Sequence, residues 1–218
     1  MANVNEKRGT GSKRLVWPAD ESKGKQSRGA HRAQQIVEIA LRLFHEQGYA
    51  STSMDDLANA VGILKGSLYY YVDSKEDLLF LIVEHVHDTV TSLLDQAISR
   101  DDLSPLDRIV EFVRLQLRYN ASNITELAVY HHDWTRLEGA RHDDILRRRR
   151  ANEAAVIDLI DQAKKLGEVP KAMDSRLAVA HTTAVMVWPY TWYNPRSRTS
   201  ADQLADSGAE FVRKALAS

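Results

Sequence analysis

The sequence predicts an all-α fold of about nine helices, on three observations. From position 30 onward apolar residues recur at three- and four-residue spacing, and no stretch shows the strict alternation of a strand. Helix-start signatures, a Ser or Asp with a carboxylate or amide three residues later, precede several of these stretches, and glycines or prolines follow them. The composition, 44% hydrophobic and 27% charged over 218 residues, supplies a buried core, while no apolar run is long enough to span a bilayer.

Taken in order, residues 1–28 mix Gly, Ser, Lys and Arg without periodicity and read as a flexible basic arm. The first helix runs from Ala30 to Gln47, with Ile36, Ile39, Ala40, Leu43 and Phe44 on one face and Gly48 as a left-handed cap. Ser53 opens the second, with Asp56 reaching back, and Gly62 ends it. A short third helix covers Lys65 to Tyr71. Ser74 and Asp77 repeat the capping box and begin a long helix to Ser99, whose stripe includes Leu78, Leu79, Ile82, Val83, Val86 and Val90. Ser104-Pro105 starts another, because proline suits the first helical position. A segment over Ile124–Leu137 and a helix over His142–Leu166 follow, the latter stopped by Gly167 and Pro170. Asp174 caps a helix that runs into the aromatic segment Trp188–Tyr193, and Ser200 with Gln203 caps the last. The boundaries this implies are an arm over 1–28, a head over 29–76 and a helical domain over 77–218.

Charge and composition narrow the function. Residues 1–32 carry eight basic and three acidic side chains, so this stretch is +5 and the rest of a −1 chain is −6. A basic arm before an acidic body suits a DNA-binding protein, although the same arm also reads as a solvated tail with no partner. The absence of cysteine excludes disulfides, thiolate metal sites and cysteine nucleophiles. The N-terminus is polar, with no apolar signal-peptide core, so a cytoplasmic protein without membrane attachment is expected. His85/His87 and His131/His132 stand two apart or adjacent, where helical side chains diverge, so neither pair clamps a metal. No phosphate loop or metalloprotease motif occurs. No catalytic group, metal or cofactor is expected, and an enzyme is not.

The most informative stretch runs from Thr52 to Tyr71: a capped helix, a glycine-bearing turn at Gly62 and a second helix of about two turns. Leu57, Ala58, Val61 and Leu68 fall on the inner face, so Lys65, Gly66, Ser67, Tyr69 and Tyr70 project outward. A cation, hydroxyls and a glycine allowing close backbone approach are what a major-groove reader needs. Over His31 to Leu79 the sequence resembles the TetR family, through Phe44, Gly48, Thr52, Asp56, Ala58, Gly62, the run Lys65 to Tyr69, Ser74, Lys75, Glu76, Leu78 and Leu79. Val72 departs from it, standing where the family usually has phenylalanine, and the smaller side chain should loosen local packing. The resemblance implies an N-terminal three-helix helix-turn-helix DNA-binding head and a C-terminal helical ligand-binding and dimerisation domain. It implies further that Thr52 and Ser53 face phosphate at a helix N-terminus. Lys65, Gly66, Ser67 and Tyr70 would approach bases, while Tyr69, Tyr71 and Lys75 hold phosphates. Tyr69 and Tyr71 are also placed to pack into the core of the head.

For the remainder, the resemblance implies a homodimer formed by the last two helices, presenting two heads to a palindromic double-stranded operator, and a pocket for a small-molecule effector. His131, His132, Trp134, Met186, Trp188, Tyr190, Trp192 and Tyr193 supply apolar walls with polar tips, the mix such a pocket uses, though each also reads as ordinary packing. The segment Trp188 to Pro195 resembles a subgroup of that family that controls fatty-acid or steroid breakdown in response to acyl-CoA thioesters. Arg147 to Arg150, with Arg149 the ligand-binding candidate, could meet the phosphates of such an effector or pair with Asp143, Asp144 or Glu153. The resulting expectation is a ligand-responsive repressor. The rival is a ligand-independent architectural or cell-division DNA-binding protein.

Overall fold

The structure, a computed structural model, describes residue 17 and residues 28–217. Apart from Trp17 and Arg28, the arm expected over residues 1–28 lies outside the described residues. Among the described residues there are nine α-helices and no strand: α1 (Arg28–Gln47), α2 (Met54–Val61), α3 (Lys65–Leu68), α4 (Lys75–Ile98), α5 (Pro105–Ser122), α6 (Ile124–Asp133), α7 (Gly139–Leu166), α8 (Ser175–Val187) and α9 (Ala201–Ala217). Single 3-10 turns follow α6 (Trp134–Arg136) and α8 (Trp188–Thr191). The chain divides into two compact units, up to Val83 and from Glu84 onward.

In the first unit α1 and α2 bury Ile36, Ala40, Phe44 and Leu57, and Leu68 of α3 is fully enclosed. The caps act as the sequence predicts. Ser53 Oγ accepts from the Asp56 amide at 3.1 Å and the Asp56 carboxylate accepts from the Ser53 amide at 2.8 Å, satisfying two donors that a helix start leaves unpaired. Gly62 takes φ +74°, and the following amide, that of Ile63, donates to the Ala58 carbonyl at 3.0 Å, so the chain leaves α2 in a left-handed cap that a Cβ would strain. Helix α3 is shorter than the Lys65–Tyr71 the sequence predicts. It continues as successive turns, with the Tyr71 and Val72 amides both donating to the Leu68 carbonyl, at 2.9 and 3.1 Å. Val72 is buried in the interior of this unit.

In the second unit α5 lies along α9, with α7 and α8 completing the core. Leu94, Ile109, Val113, Leu117, Ile160 and Val212 are each at most 1% exposed, and each large aliphatic so enclosed contributes about 1.5–3 kcal/mol. The α5–α9 approach is close: a Cβ placed on Gly208 would lie 2.3 Å from Leu117 Cδ1. Arg114–Asp206, Arg118–Asp202 and Arg213–Asp107 pairs rim the same seam at 3.0, 2.6 and 2.6 Å. Being largely exposed, they fix register more than they add stability. Helix α7 starts at Gly139, three residues before the expected His142, because Glu138 holds the N-cap position without a capping side-chain bond, the signature a sequence pattern would reveal.

Candidate functional site

Two places in the chain are built for recognition, one in each unit. In the first, the segment after Gly62 turns its polar side outward. Leu64, Lys65, Gly66 and Ser67 are exposed, Leu68 points in, and Tyr69 and Tyr70 are again exposed, at 45% and 58%. The single buried leucine anchors the turn and the rest is presented to solvent. Among the described residues nothing lies within 4 Å of a Cβ built on Gly66, so they leave the backbone there open to a close partner. Lys65 Nζ is paired with Asp55 at 2.8 Å, and this bond and charge raise its pKa. Both groups are about half exposed, so a phosphate competes with Asp55 for the ammonium at little cost. Tyr71 is half-buried, edge-on to Tyr70 with ring centroids 5.3 Å apart. Ser53 is exposed at the α2 N-terminus, though its hydroxyl is engaged with Asp56 at 2.6 Å.

Two residues expected to face phosphate do not. Thr52 is only 1% exposed; its hydroxyl donates to the Gly48 carbonyl at 2.9 Å and its amide points to the same turn. Its chemistry is spent closing the α1–α2 connection. Lys75 Nζ donates to the carbonyls of Tyr49 and Thr52 at 2.6 and 2.7 Å and lies 4.3 Å from the Tyr49 ring centroid. The ammonium thereby satisfies carbonyls of the turn that joins α1 to α2. Lys75 is a staple of the head, not a free phosphate cation.

In the second unit a cavity of about 400 Å³ lies among α4, α5, α6, α7 and α8. Val86, Val90, Phe112, Leu127, Val156 and Val179 give it apolar walls. Its polar lining includes His87, Gln116, Tyr130, Arg149 and Asn152, with Glu153 from the same helix as Arg149 and Thr182 and Thr183 from α8. His87 Nε2 and Gln116 Oε1 are buried without a hydrogen-bond partner among the described residues, a costly condition for polar atoms in a protein interior. Arg149 donates to Tyr130 Oη at 2.6 Å and its guanidinium carbon lies over the Trp134 ring, 4.7 Å from its centroid. Burial, then the Arg148 and Arg149 charges, pulls His87 down to about 4. Burial, then Arg149 and His132, does the same to His131. Both imidazoles are therefore neutral at pH 7.

Of the residues the sequence puts forward for a pocket, His131, Met186 and Arg149 line this cavity. The other six stand outside it; of these His132 is exposed, edge-on to Tyr190 at 5.4 Å. Trp134 stacks on His142 at 5.6 Å and backs Arg149 from the far side. Tyr190 stacks on His131 at 5.2 Å, bracing it. Trp188 and Trp192 face solvent, 64% and 56% exposed, because the 3-10 turn that follows α8 rotates them away from the core. Tyr193 is buried with Leu204 and Ala121 and donates to the Thr199 carbonyl at 3.1 Å. Among the four arginines, Arg147 bonds Asp144 and Arg148 bonds Asp88, which leaves Arg149 to the cavity. Sequence reasoning passes over Gln116 and Asn152 altogether and weighs His87 only as a metal ligand. A single buried polar residue on an otherwise apolar helix face is the signal that could have found them.

Comparison with known proteins agrees with this division. The sequence profile described as Tetracyclin repressor-like, C-terminal domain matches residues 102–216, and that of bacterial regulatory proteins of the tetR family matches residues 36–82. The HTH-type transcriptional repressor KstR2 of Rhodococcus jostii is 26% identical over 216 residues, covering 92% of this chain and 97% of its own. Among solved structures, the ketosteroid transcriptional regulator KstR2 of Mycobacterium tuberculosis superposes with a TM-score of 0.80 at 21% identity, over 89% of this chain and 97% of that one. AibR, solved with isovaleryl coenzyme A and operator DNA, gives 0.73 at 25% identity, over 83% and 97%. With one profile covering more than half of its length and the other its head, the chain belongs to the TetR family of bacterial transcription regulators.

Proposed function

We propose that the chain is a ligand-responsive repressor that holds a palindromic operator as a homodimer and releases it when a small acyl compound fills the cavity of the second unit. The observation that carries the DNA half is the outward set Lys65, Gly66, Ser67, Tyr69 and Tyr70 around an inward Leu68, with Ser53 at the preceding helix start. Lys65, Gly66, Ser67 and Tyr70 are assigned to base edges. Ser53 and Tyr69 are assigned to the backbone, and Tyr71 supports Tyr70. For the dimer, Leu177, Trp188, Trp192 and Phe211 give α8, its 3-10 turn and α9 an exposed apolar surface. Two-fold pairing there would set two heads for half-sites about one duplex turn apart.

A cavity of this size with a few polar groups is what a ligand-responsive protein needs, and it favours that reading over a ligand-independent architectural or cell-division protein. The solved complex of AibR with isovaleryl coenzyme A supports an acyl effector. Release follows if the effector prefers a dimer state in which the heads no longer match successive major grooves. Selecting bound duplexes from a random library, then measuring anisotropy across a salt series, tests the proposal. A palindromic consensus with salt-sensitive affinity is expected; a purified protein that retains no duplex at low ionic strength overturns it.

A further inference from the structure

We infer that the ligand of the α4–α8 cavity is an apolar monocarboxylate carrying a hydroxyl, held as the free acid rather than as a thioester; this rests on the reading of that cavity as the effector site. The cavity charge is the first ground. Arg149 reaches the cavity from α7, and one of its five N–H donors is taken by Tyr130 Oη. No carboxylate among the described residues is paired with it; Glu153, one turn on, borders the same cavity but is exposed to solvent and makes no ion pair with Arg149. The histidines beside it, His87 and His131, are neutral, and Arg148 on the next position of α7 is already bonded to Asp88. The cavity wall thus holds a guanidinium that no carboxylate among the described residues is paired with, set against the Trp134 ring. A guanidinium so placed matches a carboxylate, whose two oxygens accept its parallel N–H groups. Tyr130 accepts from Arg149 and so has its own hydroxyl proton to donate to the same anion.

The second ground is the pair of polar atoms left unsatisfied. Gln116 Oε1 can only accept, so it calls for an O–H or N–H on the ligand. His87 Nε2, neutral, serves the same group in either tautomer. These two come from α5 and α4, and Arg149 comes from α7, so the ligand carries its acid and its hydroxyl as separate groups on an apolar frame.

Size is the third ground. A cavity of ~150 Å³ takes one benzene, so about 400 Å³ holds on the order of sixteen non-hydrogen atoms. That is room for a hydroxylated fatty or fused-ring acid.

The test is calorimetric titration of the full chain with 12-hydroxydodecanoic acid, dodecanoic acid, methyl 12-hydroxydodecanoate and dodecanoyl-CoA. The hydroxy acid is expected to bind at least about tenfold tighter than its methyl ester, the value of a charge-assisted pair, and several-fold tighter than the plain acid. Arg149→Gln should erase the acid-over-ester preference and Gln116→Leu the preference for the hydroxyl. The wild-type ratios decide the matter even if a variant fails to fold. Ala180→Trp, which fills the cavity rim, separates the two levels of the argument. If acid, ester and thioester bind wild type equally and all are lost in Ala180→Trp, the site stands and the free hydroxy acid is wrong. If the thioester binds tightest, the inference is overturned likewise. If no probe binds, or Ala180→Trp binds them as wild type does, the cavity reading falls with it.

Discussion

Lys65 and Lys75 sit ten residues apart in the head, carry the same charge and are bound to do opposite things. The Lys75 ammonium is surrounded by carbonyl oxygens of the α1–α2 turn, whereas Lys65 leans on one exposed carboxylate that a phosphate can replace. Lys75→Met should therefore cost about 1–3 kcal/mol of stability by leaving carbonyls unpaired, with the salt dependence of DNA binding unchanged among molecules that remain folded. Lys65→Met should leave stability within about 1 kcal/mol and reduce the salt slope by about one. Thermal unfolding beside anisotropy over a salt series distinguishes them; a flattened slope with full stability in Lys75→Met would return that residue to the phosphate. The outward residues of α3 are legible in sequence because burial follows helical spacing. The inward turn of Thr52 and Lys75 is not, because backbone carbonyls, which every residue has, are what attract them. Gln116 and His87 escape for a related reason: each is one polar position on an apolar helix face, and only packing reveals that their faces meet at a cavity.

At the scale of elements, caps carry most of what the sequence reveals. Ser53, Ser74, Ser104, Asp174 and Ser200 each start a helix where expected, since a side chain that bonds its own backbone three residues on leaves a local pattern. Where no side chain caps, as at Glu138, the boundary is invisible, and where a helix relaxes into turns after Leu68 the apolar spacing runs on past its end. Two glycines give opposite predictions. At Gly66 a methyl group meets open space in a helix of allowed φ, so Gly66→Ala should preserve or slightly raise the unfolding temperature while weakening operator binding at least about tenfold if the backbone approaches a base. At Gly208 the same methyl collides with Leu117, itself 1% exposed, so Gly208→Ala should destabilise the α5–α9 seam by about 1–3 kcal/mol. Unfolding curves and anisotropy on the two variants decide both; an unchanged operator affinity in Gly66→Ala would place that backbone away from the bases.

For the molecule as a whole, the second unit stakes part of its stability on keeping His87 and His131 neutral, and that has a measurable dependence on pH. His87 and His131 titrate near 4 when folded and near 6.5 when unfolded. Between these values the unfolded chain binds the more protons, so folding is favoured fully above about pH 6.5 and progressively less as pH falls toward 4. Each imidazole contributes on the order of 3 kcal/mol to that loss. Glu84 and Glu126, raised mainly by burial, act in the opposite sense, since their protonation on acidification relieves a buried charge. Asp102 and Asp107, held low mainly by hydrogen bonds from Arg100 and Arg213, lose their contribution only in more acid solution. The histidine window is thus open to isolation by substitution. Urea unfolding of wild type should weaken between pH 6.5 and 4.5, and His87→Gln, which cannot protonate, should weaken less across the same interval while matching wild type more closely at the acid end. Identical pH dependence in the two proteins would mean that His87 is not held neutral by the fold, and would remove the neutral lining on which the charge of Arg149 stands out.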